Sequence, residues 1–409
     1  MKTPISEGRA RSEKLLIFEK HPYQRDLDTK IVETGQDHDR PFAVLEDTVL
    51  YPEGGGQPGD RGWLENVHVE DTQERDGRIL HYLASAVVAG PAHLKLDWAR
   101  RFDHMQQHSA QHLLTALAAD RCGWQTCAFH LGKHRCDIDL ACQDLAPDQL
   151  VELEDQAAAE IRAARPIRAW RVPLAEYEGM DVRSRGLPAD HEGSVRLVEI
   201  EGVDLNTCGG THLSSTSEIE VISLLGTETV GGGTRLFFVA GGRSRRRLAE
   251  HETRNRKLRS LLGTSDGQLR SALAQKLEQH RQLGRQVRGL ERELAVVVAE
   301  RLQEGAEKLI AHHFEGQSVS FLQLVGRRLS SQLGGRLAFL TANPAPGAPE
   351  GFFLLAAGAD FAGNLTELGR IAGEILEGRG GGSGSLYQGK AHKTNLHGRA
   401  AQILRRELG

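Results

Sequence analysis

The chain has 409 residues, 39% of them hydrophobic and 26% charged, with a mean hydropathy of −0.40 and a formal charge of −4. That length admits two or three domains, and no run approaches the ~20 consecutive apolar residues that span a bilayer. Five cysteines, an odd number in a long chain, do not describe a disulfide framework, and the start M-K-T-P-I-S-E-G-R-A has no apolar signal core. A reducing cytoplasm and no membrane partner are expected.

Residues 1–95 read as short strands between turns, a small β-barrel subdomain. Phe42 to Tyr51 is apolar and β-branched, and G-G-G-Q-P-G-D at 54 to 60 is a turn that permits close backbone approach. Gly62 to Glu70, Arg78 to Leu83 and His93 to Trp98 alternate as strands do. Residues 96–242 read as an α+β domain. His104 to Ala119 is a helix with Leu113, Leu114 and Leu117 on its apolar face, and Pro147 to Ala164 is another, opened by Pro147 and ended by Arg165-Pro166. Strands are expected at Ile167 to Val172, Val195 to Ile200, Glu218 to Leu224 and Arg235 to Val239.

Residues 243–315 read as a basic helical arm. Between Arg243 and Arg301 stand fifteen Lys or Arg against seven Asp or Glu, a local +8, so the remainder carries −12. Such a segment suits an anionic partner, nucleic acid foremost, or a solvated helix face. Leu283, Val287, Leu290, Leu294 and Val297 step by four and three, a short heptad seam that fits an antiparallel hairpin, an arm or a homodimer contact. Gly263 to Gly267 separates two helices. In residues 316–409, Val319 to Val325, Arg336 to Thr341 and Phe352 to Ala357 read as strands and Leu365 to Leu376 as a helix. A glycine-rich loop, R-G-G-G-S-G-S-L-Y-Q-G-K-A at 379 to 391, precedes a final helix from about Asn395. Its backbone N–H groups suit a phosphate, and it is not a Walker A loop, since no Ser or Thr follows Lys390.

Chemistry concentrates in two clusters. In D-H-M-Q-Q-H-S-A-Q-H-L-L, His108 and His112 share one face of a helix, one turn apart. In N-T-C-G-G-T-H, Cys208 and His212 bring a thiolate and a further imidazole. Either half alone also suits a buried structural pair. Together they form an N and S donor set for one Zn2+ per chain, assembled by tertiary folding. Cys122, Cys127, Cys136 and Cys142 lack the C-x-x-C pairing of a second site.

The paired His-x-x-x-His and Cys-x-x-x-His clusters, with E-D-T-V-L-Y-P-E-G-G-G-Q-P-G-D-R-G at 46 to 62, resemble the alanyl-tRNA synthetase editing domain and its long AlaX-type relatives, in the family's order. The resemblance covers roughly residues 40 to 240. The region from 316 resembles, more weakly, the DHH-associated domain that ends those proteins. It implies an α+β fold, with a small β-barrel plus an α+β editing domain, a helical arm and a C-terminal α/β domain.

The implied activity is ATP-independent hydrolysis of serine, or glycine, wrongly esterified to alanine tRNA, which serves translation fidelity. No room precedes residue 40 for an aminoacylation domain, so the reaction is expected to act in trans on mischarged tRNA. Zinc would polarise an ester oxygen, lower the pKa of bound water toward ~7, or anchor the substrate amino group. Four ligands would close the site and three would leave it open. Whether His212 binds directly stays open.

Thr48 and Gln57 match the family positions that face the amino acid, Thr48 to pair with a seryl hydroxyl and Gln57 to donate to a carbonyl or orient water. Asp103, Gln107 and His130 are expected to support the ligands. Arg245, Arg246, Arg247, Gly381, Gly382 and Lys390 are expected to hold tRNA. Two alternatives remain: a non-catalytic, zinc-stabilised tRNA-binding protein, and a DHH-type phosphoesterase whose only hint is Asp37-His38-Asp39.

Overall fold

The computed structural model describes residues 16–184, 186–187 and 193–409, and the chain divides into two compact units, Met1–Arg256 and Lys257–Gly409. The first begins with a one-turn helix α1 (Ile17–Lys20) and six strands: β1 (Asp26–Asp37), β2 (Arg40–Leu45), β3 (Gly62–Leu64), β4 (Val67–Arg75), β5 (Arg78–Leu83) and β6 (Gly90–Leu96). They close a barrel in the order β1-β2-β5-β4-β3-β6, which leaves no exposed sheet edge. Inward positions alternate along the strands and bury Ile31, Ala43, Leu64, Val69, Leu94 and Leu96.

Three details differ from expectation. The strand expected over Phe42 to Tyr51 ends at Leu45. Beyond it side chains take over the ladder's work: Thr48 Oγ1 accepts Leu50 N–H and Asp60 Oδ2 accepts Tyr51 N–H. Gly62 to Glu70 is two strands, because the chain reverses at Glu65, whose φ is +51°. Asp37 ends β1, His38 and Asp39 turn the chain into β2 at φ +45° and +66°, and the trio belongs to no converging group of metal-ligating side chains among the described residues, which leaves the phosphoesterase reading without support.

Asp97 caps the long helix α2 (Trp98–Cys122) by accepting Arg100 N–H, and Gly123 ends it in the left-handed conformation. This helix is buried from His104 to Ala118. Around it lie β7 (Thr126–His130), β8 (Cys136–Leu140), α3 (Pro147–Arg162), β9 (Ile167–Pro173), α4 (Leu174–Tyr177), β10 (Ser194–Ile200), β11 (Asp204–Thr207), β12 (Ile222–Val230) and β13 (Gly233–Ala240). The strands form two antiparallel sheets, β12-β13-β8-β7 and β11-β10-β9. The strand expected at Glu218 starts only at Ile222, because Thr216–Ile219 is a 3-10 turn capped by Ser215.

Helix α5 (Gly242–Leu262) ends at Gly263. The second unit contains α6 (Leu269–Leu302), β14 (Leu309–Phe314), α7 (Val319–Ser330), β15 (Leu337–Ala342), β16 (Gly351–Ala357), α8 (Leu365–Ile375), β17 (Arg379–Ser383), β18 (Leu386–Ala391) and α9 (His397–Glu407). Its sheet runs β14-β15-β16-β18-β17, with only β14 and β15 parallel. The expected strand Val319 to Val325 is helix α7. Ser318 caps it, and Phe321, Leu322, Val325 and Leu329 bury one face at helical spacing. The expected glycine-rich loop is the hairpin β17–β18. The heptad stripe Leu283, Val287, Leu290, Leu294 and Val297 lies exposed on α6, which packs through Ala295 and Ala299. The fold is α+β with a closed six-stranded barrel, and no helix among the described residues is long and apolar enough to cross a membrane.

Barrel and α2 are joined by a buried ion pair. Arg101 is fully buried; its Nε and Nη2 reach Asp60 Oδ2, and it donates to the carbonyls of Pro22 and Val49. Removing one partner strands a buried charge, which costs about 3–5 kcal/mol. Arg101→Met is therefore expected to lower unfolding free energy by that amount in urea titration, and Arg101→Met with Asp60→Leu to recover much of it. A single substitution costing under 1 kcal/mol would show that the pair does not join the two layers.

Candidate metal centre

His108 and His112 project from one face of α2, and the loop after β11 carries Cys208 and His212 up to them. One donor atom from each lies within 4.8 Å of the others, the one such group of His, Cys, Asp and Glu among the described residues. Cys208 Sγ stands 3.3 Å from His108 Nε2 and 3.3 Å from His212 Nε2. That is close to the separation two bonds of about 2.0–2.3 Å make at a tetrahedral zinc.

An imidazole can present Nε2 as a ligand only if its proton sits on Nδ1, and here each Nδ1 has an acceptor. His108 Nδ1 is 3.0 Å from Gln57 Oε1, which can only accept. His112 Nδ1 is 3.2 Å from Asp204 Oδ2. His212 Nδ1 is 3.2 Å from Ser109 Oγ, which also accepts Leu213 N–H. Such outer partners select the tautomer and aim the ring. The residues present fit a zinc ion: three oriented imidazole nitrogens and one sulfur.

Charges agree with that fit. Burial would raise the Cys208 thiol, but His108 and His212 outweigh it and hold it well below the usual thiol range, and Gly210 N–H donates to the sulfur at 3.4 Å. Burial, with His108 adjacent, keeps His212 well below the usual imidazole range. Burial also opposes charge on His112, yet Asp204 and Cys208 outweigh it and raise His112 to about 9.

The loop between Cys208 and His212 has glycine for a steric reason. A Cβ on Gly210 would lie 2.3 Å from His108 Cε1 and 2.8 Å from Gln57 Oε1. Arg196 on β10 holds the loop by donating to the carbonyls of Cys208 and Gly210. Arg183 does the same for Asp204, with Nε 2.8 Å from Oδ1. His112, Cys208 and Gly209 open onto a cavity of about 240 Å³.

Sequence reasoning named the four donors and Gln57; Asp204, Ser109, Thr211, Arg183 and Arg196 carried no readable signal. Gln57 is fully buried, accepts Thr211 N–H at 3.0 Å and donates to Thr211 Oγ1 at 2.9 Å. Thr48 lies inside the barrel, its Oγ1 2.9 Å from His81 Nε2, and it is not among the residues lining the cavity beside the cluster. Burial lowers His81 to about 4 despite its bond to Ala43 O, so the ring is neutral and Nε2 accepts the Thr48 proton.

Asp103, Gln107 and His130 serve other contacts. Asp103 pairs with Arg243, Gln107 bridges α2 to both backbone groups of Ala240, and His130 pairs with Asp137. Arg245, Arg246 and Arg247 are exposed at the start of α5, where Arg245 pairs with Glu220 and Arg246 with Asp103. In the second unit Gly381 and Gly382 lie on β17, and Lys390 on β18 stands opposite Arg379.

Residues 195–237 match the family model described as the threonyl and alanyl tRNA synthetase second additional domain. The alanyl-tRNA editing protein Aarsd1 of Danio rerio is 36% identical over 353 residues, 85% of this chain and 84% of its own. The alanyl-tRNA editing protein AlaX-L of Pyrococcus horikoshii is 33% identical over 221 residues, 51% of this chain and 53% of its own. A solved C-Ala domain of Aquifex aeolicus alanyl-tRNA synthetase covers 24% of this chain and 87% of its own at 21% identity, with a TM-score of 0.22, too low to define a fold. With 36% identity along 84% of a relative's length, the chain belongs to the family of alanyl-tRNA editing proteins, of the long AlaX type.

Proposed function

We propose that this protein is a zinc-dependent, trans-acting deacylase that hydrolyses the ester joining serine, or glycine, to alanine tRNA. The observation that carries the reading is a set of four converging donors whose three imidazoles are oriented from behind and which open onto a cavity. The chemical need is clear. A synthetase pocket that accepts alanine cannot strongly reject an isostere with one added hydroxyl or one missing methyl, so a separate hydrolytic site supplies the discrimination.

His108, His112, Cys208 and His212 would hold the zinc, which when bound supplies Lewis acidity toward an ester oxygen or water. Gln57, Asp204 and Ser109 keep protons on the far nitrogens. Thr48 donates to His81 and accepts Leu50 N–H, so its hydroxyl retains one lone pair with which to accept a seryl hydroxyl. A second reading has its own observation. Four donors would complete a tetrahedron, as structural zinc sites do, leaving a tRNA-binding protein without turnover. Zinc with deacylation supports the first, and zinc without it the second. In the C-terminal unit, Arg379 and Lys390 oppose each other across β17 and β18, a like-charge pair that an anion such as the tRNA backbone would relieve.

Elemental analysis is expected to find one zinc per chain, lost in Cys208→Ala and His108→Ala. Gly210→Ala should also lose it, with every donor intact, by displacing His108. His112, raised to about 9, carries a proton at pH 7 in the metal-free protein. Zinc uptake should therefore release that proton, and affinity should rise about tenfold per pH unit up to about pH 9. Calorimetry in two buffers of different ionisation enthalpy measures the release; zinc retained in all three variants would remove the site.

Seryl-tRNA for alanine is expected to be deacylated and alanyl-tRNA largely spared. Thr48→Val should erode that preference about tenfold, or ~1.4 kcal/mol. Unchanged selectivity would leave Thr48 as a structural partner of His81, and equal rates on both substrates in the unaltered protein would defeat the editing reading.

Replacing Arg379 and Lys390 together by Gln should raise KM with little change in kcat at saturating tRNA, the mark of lost uniform binding. The slope of log affinity against log salt should fall by about one to two. An unaltered slope would place the tRNA contacts elsewhere.

A further inference from the structure

A second groove lies where the loop before β3, strand β4 and the first turn of α2 meet, and it shares no lining residue with the cavity at the metal centre. Its volume is about 490 Å³, and three arginines and three carboxylates line it together with His68. Those charges are not paired off against one another. Glu53 and Asp71 both accept from Gln73 Nε2, at 2.9 Å and 3.1 Å, and Asp71 also accepts Thr72 N–H. Arg100 spends Nε and Nη2 on the Gly59 carbonyl. Arg61 makes no ion pair or side-chain hydrogen bond among the described residues. The two guanidiniums are neighbours: burial, and after it the charge of Arg61, lowers the pKa of Arg100. An anion seated against both would relieve that repulsion.

An aromatic surface adjoins the groove. Trp63 on β3 is 39% exposed, and its ring stands edge-on to that of His68 with centroids 5.6 Å apart. Its other cross-strand neighbour is Lys95 on β6. An indole left in water beside cations is a platform on which a nucleobase stacks.

Each part of this surface matches a part of a nucleotide. Trp63 offers a face to the base, and Arg61 and Arg100 offer donors to the phosphate. Glu70, unpaired among the described residues, offers an acceptor to a base amine or a ribose hydroxyl. A phosphate ion alone would meet three carboxylates and use none of them. A duplex hides the faces of its bases, so the nucleotide is an unpaired one. The loop before β3 links the two sites: Gly55 lines the cavity at the metal centre, and Glu53 and Gly59 line the groove. A single strand ending at the metal centre needs only to cross that loop to enter the groove.

We infer that this groove holds an unpaired nucleotide of the tRNA acceptor end, one that precedes the esterified nucleotide, with its base on Trp63 and its phosphate against Arg61 and Arg100. The choice of tRNA as the strand rests on the editing reading above. Trp63 and Arg61 are here binding residues, outside the hydrolytic centre.

The experiment uses the zinc-loaded full chain and uncharged alanine tRNA, either intact or lacking its unpaired 3′ nucleotides, with affinity measured across a salt series. Trp63→Leu should bind intact tRNA about tenfold more weakly, ~1.4 kcal/mol, and bind the shortened tRNA as the unaltered protein does. Trp63→Phe keeps an aromatic face and should retain most of the affinity. Arg61→Gln should lower the salt slope by about 0.7 on intact tRNA, the share of one single-stranded phosphate, and leave it unchanged on the shortened one. Both side chains are exposed, so neither change opens the core. Equal losses on the two tRNAs, or no loss on either, overturn the inference.

Deacylation of seryl-tRNA by the unaltered protein is followed in parallel. Hydrolysis without a difference between the two tRNAs in the Trp63→Leu protein removes the groove assignment alone. Trp63-dependent binding of intact tRNA without hydrolysis keeps the groove and removes the hydrolytic reading.

Discussion

Everything at the centre depends on which nitrogen of each histidine carries its proton. Three imidazoles and a thiolate crowd within a few ångströms, and they can share a metal ion only if the nitrogens facing the sulfur offer lone pairs. Gln57, Asp204 and Ser109 secure this by accepting from the opposite nitrogens. They come from three different parts of the first unit: the loop before β3, the start of β11, and α2 itself. The barrel, the small sheet and the long helix therefore meet at one point because each supplies one hydrogen-bond acceptor.

The same requirement explains features that look incidental. Gly210 lets the backbone pass against His108, where any Cβ would collide with the ring. Arg196 spends a buried guanidinium on two carbonyls of that loop, and burial lowers its pKa in doing so. Arg183 neutralises Asp204, so a nearly buried carboxylate can face His112. Arg101 and Asp60 tie the start of α2 to the barrel loop, which sets the register of His108 against Gln57.

The second unit follows other physics. Its sheet ends in an edge strand, β17, whose residues are all exposed and whose Gly380, Gly381 and Gly382 leave the backbone bare. Gly380 and Gly382 also lie so close to β18 that a Cβ would meet backbone at 2.4 Å and 2.2 Å, so glycine is required for pairing as well as for exposure. Close pairing and an open outer face leave this edge bare beside the opposed Arg379 and Lys390.

Spacing along the chain was enough to single out the four side chains that the fold brings together. A spacing of four between His108 and His112 fixes a shared helical face, and the glycines before His212 mark close approach; both are local properties. The barrel strands with clean alternation and helices α2, α3 and α8 were legible for the same reason, a hydrophobic period that local sequence contains. Val319 to Val325 misled because a short apolar run fits either period, and only the Ser318 cap and the burial of Leu329 decide it. The glycine-rich 379 to 391 read as a loop because composition cannot show that β16 waits to pair with β18. Asp204, Ser109, Thr211 and Arg196 were invisible: an ordinary polar residue becomes a partner only when a segment up to about 150 positions away is brought within 3.3 Å. The sequence by itself determined which atoms have the right chemistry for a metal. Tertiary structure alone decided their tautomers, because a proton's place on an imidazole depends on what stands behind the ring.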